Sequence, residues 1–116
     1  MILAPCENLI PDDVNIDELC ELYRDIGKEY NEVTEAWNDL TQEADNGKLR
    51  QHLAEEVVDL MTVCTTFLKA MERLEGIPAN FADTVFKMVY CKNAARGYFD
   101  IDNKIEVVKS IEGLNA

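Results

Sequence analysis

The sequence predicts an all-α fold, an antiparallel helical bundle, from three observations. Only 5 glycines and 3 prolines occur among 116 residues, which disfavours a turn-rich all-β protein. Hydrophobic residues make up 47% of the chain, enough for a compact core. Over long stretches they recur at intervals of three and four residues, the pattern of amphipathic helices. We expect one domain spanning residues 1–116, because the chain is too short for two ordinary domains.

The first helix is predicted to open at Asn15 and to run to about Thr41. Residues 1–14 before it are predicted to form an irregular lead-in. Asn15 followed three residues later by Glu18 is the signature of a capping box. The apolar residues that follow fall in one narrow arc of the helical wheel, which we expect to face the core, including Trp37. This stripe consists of Leu19, Leu22, Ile26, Tyr30, Val33, Trp37 and Leu40.

A second long helix is predicted from about Lys48 to Leu74. The segment "QEADNGK" supplies the turn before it, and "EGIP" gives the signal that ends it. Its apolar stripe is wide. The stripe consists of Leu49, Leu53, Val57, Leu60, Val63, Cys64, Phe67, Leu68, Met71 and Leu74.

Two shorter helices are predicted in the last third of the chain. Asn80 with Asp83 begins a third helix that runs to about Ala95, and Gly97 ends it. "YFDIDN" is predicted to be a loop, and "KIEVVKSIEGL" a short fourth helix. Because these short helices cover little of the wide apolar arcs of the first two, we expect another subunit to complete the core.

Charge and composition exclude several functional classes. The net charge of -12, from 23 acids and 11 bases, would repel a phosphate backbone, so we do not expect a nucleic acid partner. The N-terminus lacks a basic signal region, and no run approaches the roughly 18 apolar residues of a membrane span. We therefore expect a soluble cytoplasmic protein.

The cysteines and the single histidine disfavour a zinc site. The four cysteines are widely spaced without a CxxC pair, which predicts reduced structural thiols. His52 is the only histidine and is predicted to be a surface residue at the edge of the second helix. Zinc sites and histidine-containing di-iron bundles require more of these ligands.

Acidic residues in the first helix do not all point away from its apolar stripe. A helix advances about 100° per residue, which places Glu29 roughly 60° and Glu32 roughly 120° from the centre of the stripe, on the same side. Glu35 falls nearly opposite the stripe and is expected to be solvated. A solvated charged face is the alternative interpretation of this first pair.

The second helix repeats the arrangement within "AEEVVDLM". Glu56 lies about 60° and Asp59 about 115° from the centre of its stripe, while Glu55 points outward. A lone glutamate inside an apolar stripe needs a partner. A salt bridge from Glu56 to a distant base, Lys92 or Arg96, is one explanation.

A shared cation is the other explanation. If the two helices pack antiparallel, four carboxylates converge on one patch, where their mutual repulsion drives them toward protonation. A hard divalent ion removes that repulsion. The carboxylate oxygens predict Mg²⁺, or Mn²⁺, which keeps waters and substrate phosphates in its shell.

The segment "KEYNEVTEAW", followed after a connection by "AEEVVDLM", resembles the all-α nucleoside triphosphate pyrophosphohydrolases of the MazG type. The same superfamily includes dimeric dUTPases and phosphoribosyl-ATP pyrophosphohydrolases. Its mark is ExxE, a variable connection and then ExxD. The residues that match this mark are Glu29, Glu32, Glu56 and Asp59.

The resemblance covers residues 17–100, and the first 16 residues match nothing in the family. "KNAARGYFD" is similar to the trailing segment, in which an Asn and a following Arg help to hold the nucleotide. Asn93 and Arg96 are the matching residues, with Lys92 adjacent. Lys28 stands where members often carry an additional acid. A shifted register, Glu32xxGlu35, fits less well because Glu35 points away from the core.

The resemblance implies Mg²⁺-dependent hydrolysis of a nucleoside triphosphate to the monophosphate and pyrophosphate, in a homodimer or homotetramer. The four matching acids would hold the metal, and Glu32 or Glu56 would orient the attacking water. Lys92 and Arg96 would meet the developing negative charge. Two alternatives stay open: a helical interaction protein without catalysis, and a regulatory module that binds nucleotide without turnover.

Overall fold

The computed structural model describes residues 4–99, and all regular structure within them is helical. A short 3₁₀ turn, Glu7–Leu9, precedes three helices, α1 (Ile16–Gln42), α2 (Gly47–Met71) and α3 (Phe81–Ala95). The predicted all-α class is confirmed for these residues. The predicted fourth helix lies outside the described residues.

The chain divides into two compact units. The first, up to Ala79, contains the 3₁₀ turn, α1 and α2, and the second, from Asn80, contains α3. The prediction of a single domain over residues 1–116 stays a prediction. The acid pairs singled out in the sequence both belong to the first unit.

Side-chain caps fix the starts of α1 and α2. At α1, the side chain of Asn15 accepts from the Glu18 backbone N–H at 2.9 Å, and Glu18 Oε2 accepts from the Asn15 N–H at 3.0 Å. This is the predicted capping box. At α2, Asn46 Oδ1 accepts from the N–H groups of Lys48 and Leu49 at 3.0 and 3.2 Å. Because this cap starts α2 at Gly47, only a few residues connect the two helices.

Helix α2 ends at Met71, three residues earlier than the sequence predicts. The N–H of Arg73 donates to the carbonyl of Ala70 at 3.0 Å and that of Leu74 to Met71 at 3.2 Å. These bonds reach back three residues instead of four, which tightens the chain into a turn. Gly76 then adopts a φ of 81°, which only glycine reaches without strain.

The lead-in is irregular, as predicted, yet it forms part of the core. The Cys6 N–H donates to Thr66 Oγ1 at 2.9 Å. Arg73 Nη1 donates to the carbonyl of Ile10 at 2.8 Å, and the Arg73 carbonyl accepts from the Val14 N–H at 3.3 Å. Ile10 and Val14 are buried with Leu19 and Ala70 in one cluster. The lead-in therefore covers the C-terminal half of α2.

Helices α1 and α2 pack against each other as a hairpin, but their apolar stripes are incompletely covered. Among the described residues no large side chain is fully buried. Tyr30 and Trp37 are 61% and 55% exposed, so the expectation that Trp37 lies in the core is wrong for this chain. The buried residues of α1 are Leu19 and Ala36. Leu19 lies at the same angle around α1 as Trp37, so the position along the helix, and not the angle, decides which of the two is covered.

The four cysteines are free thiols, but they do not occupy the interior. Cys64 is half-buried, and the other three are exposed. The long helices of residues 4–99 are too polar to form a membrane span.

Helix α3 begins after Asn80, whose side chain makes no capping bond, in contrast to Asn15 and Asn46. Gly97, with a φ of 76°, follows its end as predicted. The rings of Tyr90 and Phe99 stack with centroids 4.8 Å apart. This contact places Phe99 against α3.

Candidate metal site

Three carboxylates meet where α1 packs against α2. Glu29 and Glu32 lie on successive turns of α1, and Glu56 lies on α2. One oxygen from each lies within 4.8 Å of the other two. On one octahedral Mg²⁺, with bonds of about 2.1 Å, adjacent ligand oxygens are about 3.0 Å apart and opposite ones about 4.2 Å apart. The three side chains would therefore have to rotate toward one another to bind one ion.

Two of these carboxylates have a buried oxygen that accepts no hydrogen bond from any of residues 4–99. They are Glu29 Oε2 and Glu56 Oε2. The Glu56 side chain is only 15% exposed, while Glu32 is exposed. A buried polar atom without a partner is unfavourable and rare in folded proteins. A hydrogen-bond donor or a cation from outside residues 4–99 would satisfy these oxygens.

Burial and mutual repulsion make both glutamates harder to ionise. Burial raises the pKa of Glu29, and the charges of Glu32, Asp59 and Glu56 raise it further. Burial also raises the pKa of Glu56, with Glu32 adding to the effect and His52 opposing it. Ionised carboxylates cannot donate hydrogen bonds to one another, so their proximity requires either a bound proton or a cation.

Asp59 lies one turn beyond Glu56 on α2 and is exposed. It is not among the three acids whose oxygens cluster, yet its charge raises the pKa of both Glu29 and Glu56. The structure thus brings together three of the four predicted ligands and places the fourth at their edge. Glu35 and Glu55, expected to be solvated, are both exposed.

His52 is a neighbour of the cluster that the sequence did not reveal. Its Nε2 lies 3.8 Å from Glu56 Oε1, one helical turn away. That distance is too long for a hydrogen bond, and its side chain is 50% exposed, in agreement with the predicted surface position. The four-residue spacing of His52 and Glu56 could have revealed this neighbourhood in the sequence, because it places the two side chains on one helix face.

The predicted nucleotide-binding residues belong to the second unit. Lys92 lies in the last turn of α3, and Arg96 follows the helix, its N–H bonded to the Lys92 carbonyl at 3.2 Å. The Asn93 carbonyl accepts from the Tyr98 N–H at 3.2 Å. All three therefore lie on or beside one turn. Their approach to the acids, and the alternative salt bridge to Glu56, stay predictions.

The residues present fit a hard divalent cation. Glu29, Glu32 and Glu56 offer only oxygen, the ligand that Mg²⁺ and Mn²⁺ prefer. Two buried oxygens lack donors, and the exposed third acid leaves the cluster open to solvent. An incomplete cage of this kind suits an ion that keeps water in its shell.

Comparison of the chain with protein-family models, with curated proteins and with solved structures finds no match. The resemblance to the MazG type therefore rests on the motifs in the sequence.

Proposed function

We propose that this protein is a Mg²⁺-dependent nucleoside triphosphate pyrophosphohydrolase of the MazG type. It would hydrolyse an NTP or dNTP to the monophosphate and pyrophosphate. One observation carries the proposal: buried, unpartnered oxygens of Glu29 and Glu56 lie beside a third carboxylate, Glu32, between two helices. This is the arrangement in which a divalent cation relieves both the burial and the repulsion.

Glu29, Glu32 and Glu56 would hold the metal, with Asp59 adding negative charge from the next turn. When bound, Mg²⁺ neutralises phosphate charge and lowers the pKa of a coordinated water. Glu32 is the more suitable residue to orient the attacking water, because it is exposed while Glu56 is largely buried. Glu56 is the second candidate for this role.

The proposal assigns binding of the nucleotide to the residues of the last turn of α3 and beside it. Lys92 and Arg96 carry the positive charge needed to meet the negative charge that develops on the leaving pyrophosphate. Asn93 would contact the nucleotide. The proposal further includes a cytoplasmic location. It also includes a homodimer or homotetramer, in which another subunit would cover the apolar side chains left exposed in α1.

A second candidate function is a helical interaction protein in which the acids have no chemical role. The exposed apolar residues of α1 favour it. The two candidates differ at Glu56: a Glu56→Gln substitution weakens metal binding if the acids form a site, and leaves it unchanged if they do not. A regulatory module would bind a non-hydrolysable nucleotide without turnover.

The test is a panel of NTPs and dNTPs incubated with the protein and Mg²⁺, with released pyrophosphate measured. We expect release from at least one nucleotide, abolished by chelation. Glu56→Gln should lower the rate by more than about 100-fold, the upper range for groups that only support a ligand. Glu35→Gln, an exposed acid on the opposite face of α1, is the matched control and should retain the rate. No release from any nucleotide with Mg²⁺ present would contradict the proposal.

A further inference from the structure

Large apolar side chains recur along α1 at a spacing of seven residues, and all of them are exposed. Seven residues make nearly two helical turns, so these side chains line up on one face. The exposed fractions are 71% for Ile16, 66% for Tyr23, 61% for Tyr30 and 55% for Trp37. Isolated exposed apolar residues are ordinary, but a regular row along a whole helix is the pattern of a helix-packing seam.

Small residues follow each of the large ones after one turn. They are Cys20, Gly27, Thr34 and Thr41, and all are exposed. Large and small residues thus alternate at spacings of four and three, which is the spacing of a coiled-coil seam. We call these eight residues the α1 seam.

Gly27 lies in the middle of the seam, where no contact within the described chain requires a glycine. A Cβ built there would meet nothing within 4 Å, and glycine is a poor residue for a helix interior. Tyr23 and Tyr30 flank it, and with Leu60 and Cys64 of α2 they line a shallow groove. The helix backbone at Gly27 is therefore open to close approach by another element.

The outer edge of the seam avoids the negative charge that dominates the chain. Its positions are Asp17, Arg24, Asn31 and Asn38, so it carries one acid and one base although the net charge of the chain is -12. Glu29 and Glu32 lie on the other side of α1, in the acid cluster. A second copy can approach the seam without placing like charges opposite each other.

The threonines of the seam are already satisfied within α1. Thr34 Oγ1 donates to the Tyr30 carbonyl at 3.1 Å, and Thr41 Oγ1 donates to the Asn38 carbonyl at 2.8 Å. Covering these residues would leave no hydroxyl proton unpaired. The two threonine hydroxyls therefore meet the hydrogen-bonding requirement for burial.

We propose that the α1 seam binds the α1 seam of a second copy of this chain, antiparallel, about a two-fold axis. In one register every large residue meets a small one. Ile16 faces the partner's Thr41, Cys20 the partner's Trp37, Tyr23 the partner's Thr34, and Gly27 the partner's Tyr30. The two-fold axis passes between positions 28 and 29, and the two residues of each seam pair lie at equal distances in sequence on either side of it. On the outer edge Arg24 approaches the partner's Asn31. Such self-complementarity is what a two-fold interface requires.

The area is sufficient for a specific interface. Aromatic side chains bury 150–250 Å² each when covered, so the exposed parts of three aromatics and one isoleucine offer roughly 500 Å² per protomer. Two protomers then bury about 1,000 Å², the lower limit for a specific interface before neighbouring residues are counted.

This inference names the interface of the homo-oligomer in the proposed function, and so rests on that part of it. It does not depend on hydrolysis, because the seam and the acid cluster lie on different sides of α1. Molar mass and pyrophosphate release are therefore measured on the same samples.

The first measurement is sedimentation equilibrium of the full chain. We expect a dimer, or a dimer of dimers, for the wild type. Gly27→Leu fills the notch and Tyr30→Glu places a charge in it, so each should raise the dissociation constant of the dimer by roughly 30-fold or more. Val58→Glu, at an exposed apolar position of α2 outside the seam, is the matched control and should leave the dimer intact. Circular dichroism should show unchanged helix content in all variants, because these side chains are exposed.

The second measurement tests the register. Trp37→Cys places a thiol opposite the partner's Cys20, and mild oxidation should give a covalent dimer. Adding Cys20→Ser to the same variant should abolish that dimer, which separates it from cross-links through the other thiols.

The results separate the two proposals. A monomeric wild type, or a dimer that survives both seam substitutions, overturns the interface whether or not pyrophosphate is released. A dimer that dissociates as expected but releases no pyrophosphate supports the interface and contradicts the hydrolase.

Discussion

Glu29 and Glu56 each have one buried carboxylate oxygen that finds no hydrogen-bond donor in the described part of the chain. In the absence of a cation, this unfavourable arrangement lowers the stability of the folded protein. Burial raises both pKa values above the ordinary 4.5. Protonation therefore relieves the cluster, and a divalent ion relieves it at neutral pH.

We predict a specific pH dependence for the metal-free protein. Between 4.5 and the raised pKa values the folded state binds more protons than the unfolded state. The free energy of unfolding therefore falls as pH rises through that window, and the loss is complete above it. Glu56→Gln removes one of these groups. Its melting temperature in the presence of a chelator should exceed that of the wild type near neutral pH, and the difference should vanish below 4.5.

The control for this prediction is Glu35→Gln, because Glu35 is exposed and lies outside the cluster. Its melting temperature should follow that of the wild type across the pH range. Equal pH profiles for Glu56→Gln and the wild type would show that the cluster carries no strain from charge.

The sequence predicted the positions of single residues where angle around a helix decides them. The helical wheel separated Glu29, Glu32 and Glu56, whose oxygens cluster, from Glu35, which lies outside the cluster. It placed Trp37 in the core because a wheel shows which residues share a face, and not which part of that face another helix covers. It missed His52 as a neighbour of Glu56 because only lysine and arginine were weighed as partners.

At the scale of elements, the lead-in and α2 stabilise each other. Thr66 is buried, and its Oγ1 accepts from the Cys6 N–H and donates to the Thr62 carbonyl, both at 2.9 Å. This hydroxyl joins the start of the chain to the helix that carries Glu56. The sequence shows no signal for such a contact, because its partners are 60 residues apart.

We predict that Thr66→Val destabilises the protein by about 1 kcal/mol, the usual net worth of one hydrogen bond. Valine has nearly the same shape, so the loss reports the two hydrogen bonds of the hydroxyl, and its excess over a threonine bonded only within its helix reports the bond to Cys6. Thr65→Val is the matched control: Thr65 donates only within its own helix, to Met61 at 2.9 Å, and should cost less. Urea unfolding of both variants measures the difference, and equal losses would show that the lead-in adds no stability through Thr66.

The ends of the elements were predictable where a side chain or a glycine decides them. The Asn15 and Glu18 pair opens α1, and Gly97 follows the end of α3, as the sequence indicated. The end of α2 was not predictable from the sequence, because Arg73 donates hydrogen bonds to the carbonyls of Ile10 and Pro11 in the lead-in. A tertiary contact of this kind overrides local helix propensity.

At the scale of the whole molecule, the acid cluster depends on how α1 and α2 pack. Their short connection predicts that they are neighbours, and the apolar stripes predict which faces meet. Together these two features bring acids 27 residues apart in sequence, Glu29 and Glu56, into one cluster. Assembly is less accessible from sequence, because an exposed seam and a buried one have the same periodicity until exposure is known.

The central claim is that Glu29, Glu32 and Glu56 act together as one cation site. Titration with Mn²⁺, followed by the loss of the free-ion signal in electron paramagnetic resonance, tests it directly. We predict that the wild type binds Mn²⁺, that Glu29→Gln and Glu56→Gln each weaken binding by roughly tenfold or more, and that Glu35→Gln preserves it. Equal affinity in the wild type and in all three variants would contradict it.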